Sequence, residues 1–326
     1  MISRIWRPWL RASVGVAVSA AFLAVTTARV DIDLLGEAWA SVSYASLAVA
    51  LAISAAEVFV RAIRWRLLLA PSLHIGLGSS LGFLSIGHLA NAILPARLGD
   101  VARAVLTGGH THSSRATVLG TIAVERIADA ALLGLAATAG VLVGYGALTP
   151  AVVALAALGA AAFLIAAAFA LLLRRQAVQL TRVGGLLATH GRRFVAGGAA
   201  LRTPGALARV VSLTVASFGL AVTIMFIVTD AVGLSMPIWQ AALVVAAVTL
   251  STAIPAGPAS IGTYEFAGTM VLTAMGHPAE ASLLAVGLVH MIATLVPAGM
   301  GLASMWAMGI TPIRWTAPQR PSIDHA

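Results

Sequence analysis

Apolar runs dominate the chain, and their lengths decide the fold class. Apolar runs long enough to span occupy Ala12–Ala28, Ser43–Val60, Ala116–Val143, Pro150–Leu173, Val210–Asp230 and Ala281–Met308. A helix needs about 20 apolar residues, within a range of about 17–25, to cross a bilayer. Two further apolar regions, Ile75–Pro95 and Pro237–Met275, are broken by proline, glycine and charge. The pattern predicts an all-α, polytopic membrane helix bundle.

Arginine placement orients the bundle, because cytoplasmic loops carry the excess of basic residues. Arg4, Arg7 and Arg11 precede the first run, which places the N-terminus inside and reads as an uncleaved first helix rather than a signal peptide. The loop Arg29–Val42 carries three acids and one arginine and belongs outside; Arg61, Arg64 and Arg66 belong inside. The segment Arg174–Arg209, with seven arginines, is the strongest inside signal. Tracing back from it, the turn Gly144–Thr149 lies outside and Ala96–Arg115 inside. Both ends of Ile75–Pro95 are then inside, so this segment is expected to enter and turn back as a re-entrant hairpin. Pro237–Met275 is consistent with two crossings or one hairpin entering from outside.

The domain organisation that follows is a single transmembrane domain over residues 1–326. Its N-terminal half is 12–173 with the re-entrant 75–95, its cytoplasmic connection 174–209, its C-terminal half 210–308 with the broken 237–275, and its cytoplasmic tail 309–326. The two broken regions resemble each other. Ile93-Leu-Pro95-Ala-Arg97-Leu-Gly99-Asp100 and Ile254-Pro255-Ala-Gly257-Pro258-Ala-Ser-Ile-Gly262-Thr-Tyr264-Glu265 both run aliphatic, Pro-Ala, aliphatic-Gly, then acid. With the second hairpin entering from outside, the halves would form an inverted repeat, a transporter plan with its site at the repeat interface.

Composition sharpens this picture. Of the 326 residues 60% are hydrophobic and 10% charged, against about 25% charged in soluble domains. All 20 basic residues are arginine, and the net charge of +9 follows the positive-inside pattern rather than nucleic-acid binding. Without cysteine there are no disulfides or thiolate metal sites. No cofactor motif is present, and His110-Thr-His112 has no third metal ligand beside it.

Ionisable residues inside membrane segments are costly and are the candidates for function. Asn91, Arg97, Asp100 and Arg103 form the first cluster. The i, i+3, i+6 spacing of the last three puts them on one helical face as an Arg–Asp–Arg ladder that offers guanidinium to an anionic headgroup. Glu125, Arg126 and Asp129 lie deep in an otherwise apolar helix. The two carboxylates need a cation between them, which Arg97, Arg103 or Arg126 would supply. Glu265, with Gly262 and Tyr264, follows a Pro- and Gly-rich break and is either a helix-start dipole partner or part of a site. Arg61, Arg64, Trp65 and Arg66 read as interface anchors, with Glu57–Arg61 a local i, i+4 pair. Pro95, Gly99, Pro255, Gly257 and Pro258 shape the breaks. His88 reads as a satisfied core histidine or, with Asn91, a cavity lining; His290 reads as a packing or helix-pairing residue.

These residues resemble the lysylphosphatidylglycerol synthase transmembrane family, also called flippase-like domain proteins. The matching pieces are Arg61-Ala-Ile-Arg64-Trp65, Asn91 to Arg103, Glu125-Arg126-Ile-Ala-Asp129 and Pro255 to Glu265, in the family's order. The resemblance implies a lipid translocase-like membrane domain in a bacterial inner membrane. It implies no aminoacylating activity, which in the family belongs to a separate soluble domain. The expected function is translocation of a phosphate-bearing lipid or lipid-linked precursor, with a membrane lipid as partner. Arg97, Arg103 and Arg126 would hold the headgroup, and Glu125, Asp129 and Glu265 would organise the arginines or couple to protons. Alternatives are a membrane transferase acting on a lipid, or a scaffold that partners lipid-biosynthesis enzymes.

Overall fold

A computed structural model describes residues 3–28, 30–40, 42–94, 98–143, 161, 186–254 and 256–310. Pro95, Arg97 and Pro255, the apolar run 150–173 apart from residue 161, and the tail 311–326 lie outside the described residues. Every regular element among the described residues is helical.

The helices are α1 (Ser3–Thr27), α2 (Ile32–Ala40), α3 (Tyr44–Leu69), α4 (Leu77–Ile93), α5 (Gly99–His110), α6 (Arg115–Val143), α7 (Leu186–Ala196), α8 (Pro204–Ala231), α9 (Ile238–Ser251), α10 (Thr263–Ala274) and α11 (Ala279–Ala307). Helices α3, α8 and α11 are long and apolar enough to cross a membrane. Their starts carry ordinary signals. Ser43 caps α3 through the N–H of Ser46, and Pro204 opens α8, where its missing N–H costs nothing. Helices α3 and α8 run antiparallel, with the Ser43 N–H donating to Ala231 O at one end and Arg64 bonded to Thr214 near the other.

Two antiparallel hairpins fill the space beside these long helices. In the first, α4 and α5 pair Phe83 with His110 and Gly87 with Gly99 and Arg103. In the second, α9 and α10 bring Val248 against Gly268, and Gln240 to 2.9 Å from His277. The first hairpin opens at the Leu69 end of α3 and the second at the Ser43 end, so they reach into the bundle from opposite ends. Their tips approach one another, since α4 touches the 3-10 turn Pro258–Ser260. The first hairpin differs from the expected one. Leu77–Ile93 is an unbroken helix of 17 residues, so the reversal falls after residue 94 and α5 forms the return limb.

Two apolar clusters sit at the two ends. One joins Ala50, Met225, Val228, Leu243, Leu272 and Val286; the other joins Trp65, Leu69, Phe83, Ile86, Ala104 and Val118. Burial of this kind contributes about 25 cal/mol per Å² only where water is displaced. Where helices face lipid, close backbone approach takes over. Gly301 of α11 lies against the Ser85 carbonyl of α4 in this way. Between the two clusters lies a layer of charge.

Candidate functional site

The layer centres on Arg64 of α3. Its Nη2 donates to Glu125 Oε1 at 2.9 Å, while Nη1 reaches Asp129 Oδ1 at 2.5 Å and Thr214 Oγ1 at 3.1 Å. Arg103 of α5 donates to the other oxygen of Glu125 at 2.5 Å, and its guanidinium lies 4.2 Å above the centre of the Trp65 ring. Trp65 Nε1 in turn donates to Thr121 Oγ1 at 3.1 Å. Arg126 grips Asp100 bidentately at 2.9 and 3.1 Å. Three guanidiniums thus meet three carboxylates, and the formal charges cancel. Cancellation is what lets such a cluster persist away from bulk water, where an unpaired charge would be expelled.

Exposure divides the cluster in two. The side chains of Arg64, Arg103 and Glu125 are 1%, 2% and 4% exposed. Those of Arg61 and Arg126 are 30% and 35% exposed, although both sit on helices of the bundle interior. They face a hollow of about 410 Å³ whose charged wall is Glu57, Arg61, Arg126 and Asp129. The remaining lining is largely apolar, including Leu133, Phe218, Val245 and Val289, with Thr214, Ser217 and Tyr264 adding hydroxyls. Arg61 bonds Glu57 through Nε and Nη2, and Ser217 also donates to Glu57 at 3.3 Å. Nη1 of Arg61 and Nη1 of Arg126 have no protein partner among the described residues.

A second cluster stands at the tip of the α9–α10 hairpin. Glu265 Oε2 accepts from the Gly262 N–H at 2.7 Å, closing the start of α10. Glu265 Oε1 lies 2.5 Å from His290 Nδ1 on α11, and His290 Nε2 lies 2.9 Å from Ala259 O. Tyr264 stacks on the His290 ring at 4.1 Å. Gly262 adopts φ of 90°, and a Cβ there would meet the Ser19 carbonyl of α1, so glycine is required twice over. Ser19 Oγ accepts from the Gly257 N–H at 2.9 Å, pinning α1 to the same turn, and Pro258 opens its 3-10 segment.

Comparison with known proteins gives one match. The family described as the lysylphosphatidylglycerol synthase TM region matches residues 13–301. The chain belongs to this family. No curated protein and no solved structure matches it. Membership of the lysylphosphatidylglycerol synthase TM region, with three spanning-length apolar helices among the described residues, makes the chain a membrane protein with a lipid-related role.

Within this lysylphosphatidylglycerol synthase TM region, the charged pieces singled out by sequence fall into place unevenly. Asp100, Arg103, Glu125, Arg126 and Asp129 are brought together. The expected Arg–Asp–Arg ladder along α5 does not form between Asp100 and Arg103, because each finds its partner on α6. The cation between Glu125 and Asp129 is Arg64, which sequence reading had placed at the membrane interface with Trp65. Both are buried, and only Arg66 of that group is exposed. Asn91 uses Oδ1 to accept the Gly99 N–H at 2.8 Å, which closes the first hairpin. His88 is not a satisfied core histidine, for its buried Nδ1 has no partner.

Glu265 does not join the arginine cluster, since its partner is His290; only its neighbour Tyr264 reaches the hollow. Sequence reading missed Thr214 and Ser217, because hydroxyls are common in membrane helices and carry no positional signal. It also missed the bond between Glu265 and His290, which are 25 positions apart. Among the described residues no group of His, Cys, Asp or Glu could hold a metal ion.

Proposed function

We propose that the chain is a transporter, not an enzyme, and that it carries a phosphate-bearing lipid or lipid-linked precursor between leaflets of a bacterial inner membrane. The observation that carries this reading is the hollow with one charged wall and an apolar body. Its chemistry matches an amphiphile. Guanidinium N–H groups of Arg61 and Arg126 that have no partner among the described residues suit a phosphate, and the leucine and valine lining suits the first part of an acyl chain. Arg64, Arg103, Glu125 and Asp100 hold the wall in place.

The hairpins support the same reading. Helices α9 and α10 have 14 and 12 residues. At about 1.5 Å per residue they rise about 21 and about 18 Å, short of the about 30 Å hydrocarbon core. They are therefore read as re-entrant, as is α5 with 12 residues. Two hairpins entering from opposite ends fit an inverted repeat with the substrate site between them. Both termini are assigned to the cytoplasm from the arginine distribution.

Purified protein in liposomes tests this with a lipid-flipping assay. Ala221→Trp would fill the hollow, and Arg126→Gln would remove the phosphate contact. Each is expected to slow flipping about tenfold or more, the equivalent of one lost charge-assisted bond of about 1.5–3 kcal/mol. Flipping of an anionic lipid at the unaltered rate by both variants would eliminate this site.

A further inference from the structure

The hydrogen bonds of His290 count a proton. Ala259 O can only accept, so His290 Nε2 carries a hydrogen and donates it across 2.9 Å. Nδ1 and Glu265 Oε1, 2.5 Å apart, then need one hydrogen between them. It sits on the imidazole, giving an ion pair, or on the carboxyl, giving two neutral groups. Either way the pair is neutral overall with the proton and negative without it. Without it, two lone pairs face each other, and a bare carboxylate remains in an apolar wall, where charge is costly.

The turn this pair holds is strained. Ala259 and Ser260 have φ of 55° and 62°, in the left-handed region that non-glycine residues avoid. His290 holds Ala259 by its carbonyl, and Glu265 holds Gly262 by its N–H, so both ends of the strained segment hang on one pair. The pair also stands between two spaces. Glu265 and His290 line a lateral groove of about 520 Å³ bounded by Leu35, Trp39 and Leu284, while Tyr264, stacked on His290, lines the central hollow.

No other cation competes for Glu265 among the described residues. The described side chains of α1 are not ionisable, nor is any side chain of α9. Helix α2 carries Asp33 and Glu37, both exposed. Helix α4 contributes His88, within electrostatic reach of Arg61, Arg103, Arg126 and Asp100. Helix α3 contributes Glu57, whose field reaches Tyr264.

We propose that Glu265 and His290 form a single-proton binding site whose occupancy sets the shape of the turn at 256–262 and thereby couples lipid passage to pH. The coupling rests on the transport reading given above. In the protonated state the turn is latched and the wall between groove and hollow is closed. The proton leaves to water entering the groove, no heavy-atom bond changes, and repulsion between Glu265 Oε1 and His290 Nδ1 drives the two side chains apart, one carrying the Gly262 N–H with it and the other the Ala259 carbonyl. Reprotonation from the same side restores the latch.

Glu265→Gln separates this role from a merely structural one. Glutamine accepts the Gly262 N–H through its oxygen and offers an N–H to an unprotonated Nδ1, so the latch stays shut with no proton shared between the two side chains. The full chain, labelled with ¹⁵N-histidine and placed in liposomes, is followed from about pH 5 to about pH 9, the range in which histidine sites titrate. The His290 resonance, assigned through its loss in His290→Gln, is expected to move with pH in the wild type and to stay fixed in Glu265→Gln. Flipping by the wild type is expected to change about tenfold across the range, as for one group passing through one pH unit or more around its midpoint. In Glu265→Gln it is expected to change less than about twofold. A His290 resonance fixed at every pH in a wild type that flips lipid overturns the proton site and leaves transport standing. A wild type that flips no lipid at any pH, with His290 titrating, overturns transport and the coupling with it.

Discussion

Arg64 shows how one side chain is recruited for structure and another, close by, for function. With only 1% of its side chain exposed, Arg64 neutralises Glu125 and Asp129 together. Removing it would leave the buried Glu125 with Arg103 as its remaining bonded cation, and the half-buried Asp129 with no bonded cation. Breaking a buried pair from one side typically costs about 3–5 kcal/mol. Arg64→Ala is therefore expected to lower stability by about that amount, read as an earlier transition in thermal unfolding of the detergent-solubilised protein. Arg61→Gln should shift it by about 1 kcal/mol or less, since its Glu57 partner keeps Ser217 and the hollow gives the site access to water. Equal stability for Arg64→Ala and wild type would mean that the charged layer is not what holds α3 to α6. The sequence could not assign these roles, because Arg61, Arg64 and Arg66 share one local composition and differ only in helical phase. A phase matters only once the facing helices are known, and the acids that claim Arg64 lie 61 and 65 positions away.

At the scale of elements, breaks in hydropathy fall near chain reversals but do not give the limits of the helices around them. Gly99 stands beside the chain reversal between α4 and α5, and Gly257 and Gly262 lie within the one between α9 and α10. The glycines at 76, 78 and 82 suggested that the first segment itself bends, yet α4 runs straight through Gly78 and Gly82. A glycine costs a helix only about 1 kcal/mol relative to alanine, and close packing offsets that, as where Gly82 lies beside Met308. The reversal depends instead on Gly99. A Cβ there would fall 2.6 Å from Asn91 Oδ1 and against the Gly87 carbonyl, backbone that cannot yield cheaply. Gly99→Val is expected to push α5 off α4 and lose the Asn91 bond, destabilising by about 1–3 kcal/mol. The same unfolding measurement would reveal it, with loss of lipid flipping following because Asp100 and Arg103 travel with α5. An unchanged transition would show that the hairpin closes without this contact.

For the whole molecule, helix packing defines two poles, and the arginine distribution proposes which compartment each one faces. Charge counting puts the chain near Arg66 inside and the chain following Asp230 outside. Packing puts the Leu69 end of α3 at one pole and the α8–α9 connection, beside Val42, at the other. The absence of cysteine from all 326 positions makes this testable with single substitutions. Ser72, in the connection after α3, and Ser235, in the connection after α8, are both exposed. Serine to cysteine at either site changes one atom and disturbs no bonded side chain. In intact cells a membrane-impermeant thiol reagent is expected to label Ser235→Cys and to reach Ser72→Cys only after the membrane is opened. That result places the openings of the two hairpins on opposite faces, as the proposed transport reading requires. Labelling of both sites from the same side would put both hairpins in one leaflet. The charged wall would then face a single compartment, and lipid could enter it but not cross.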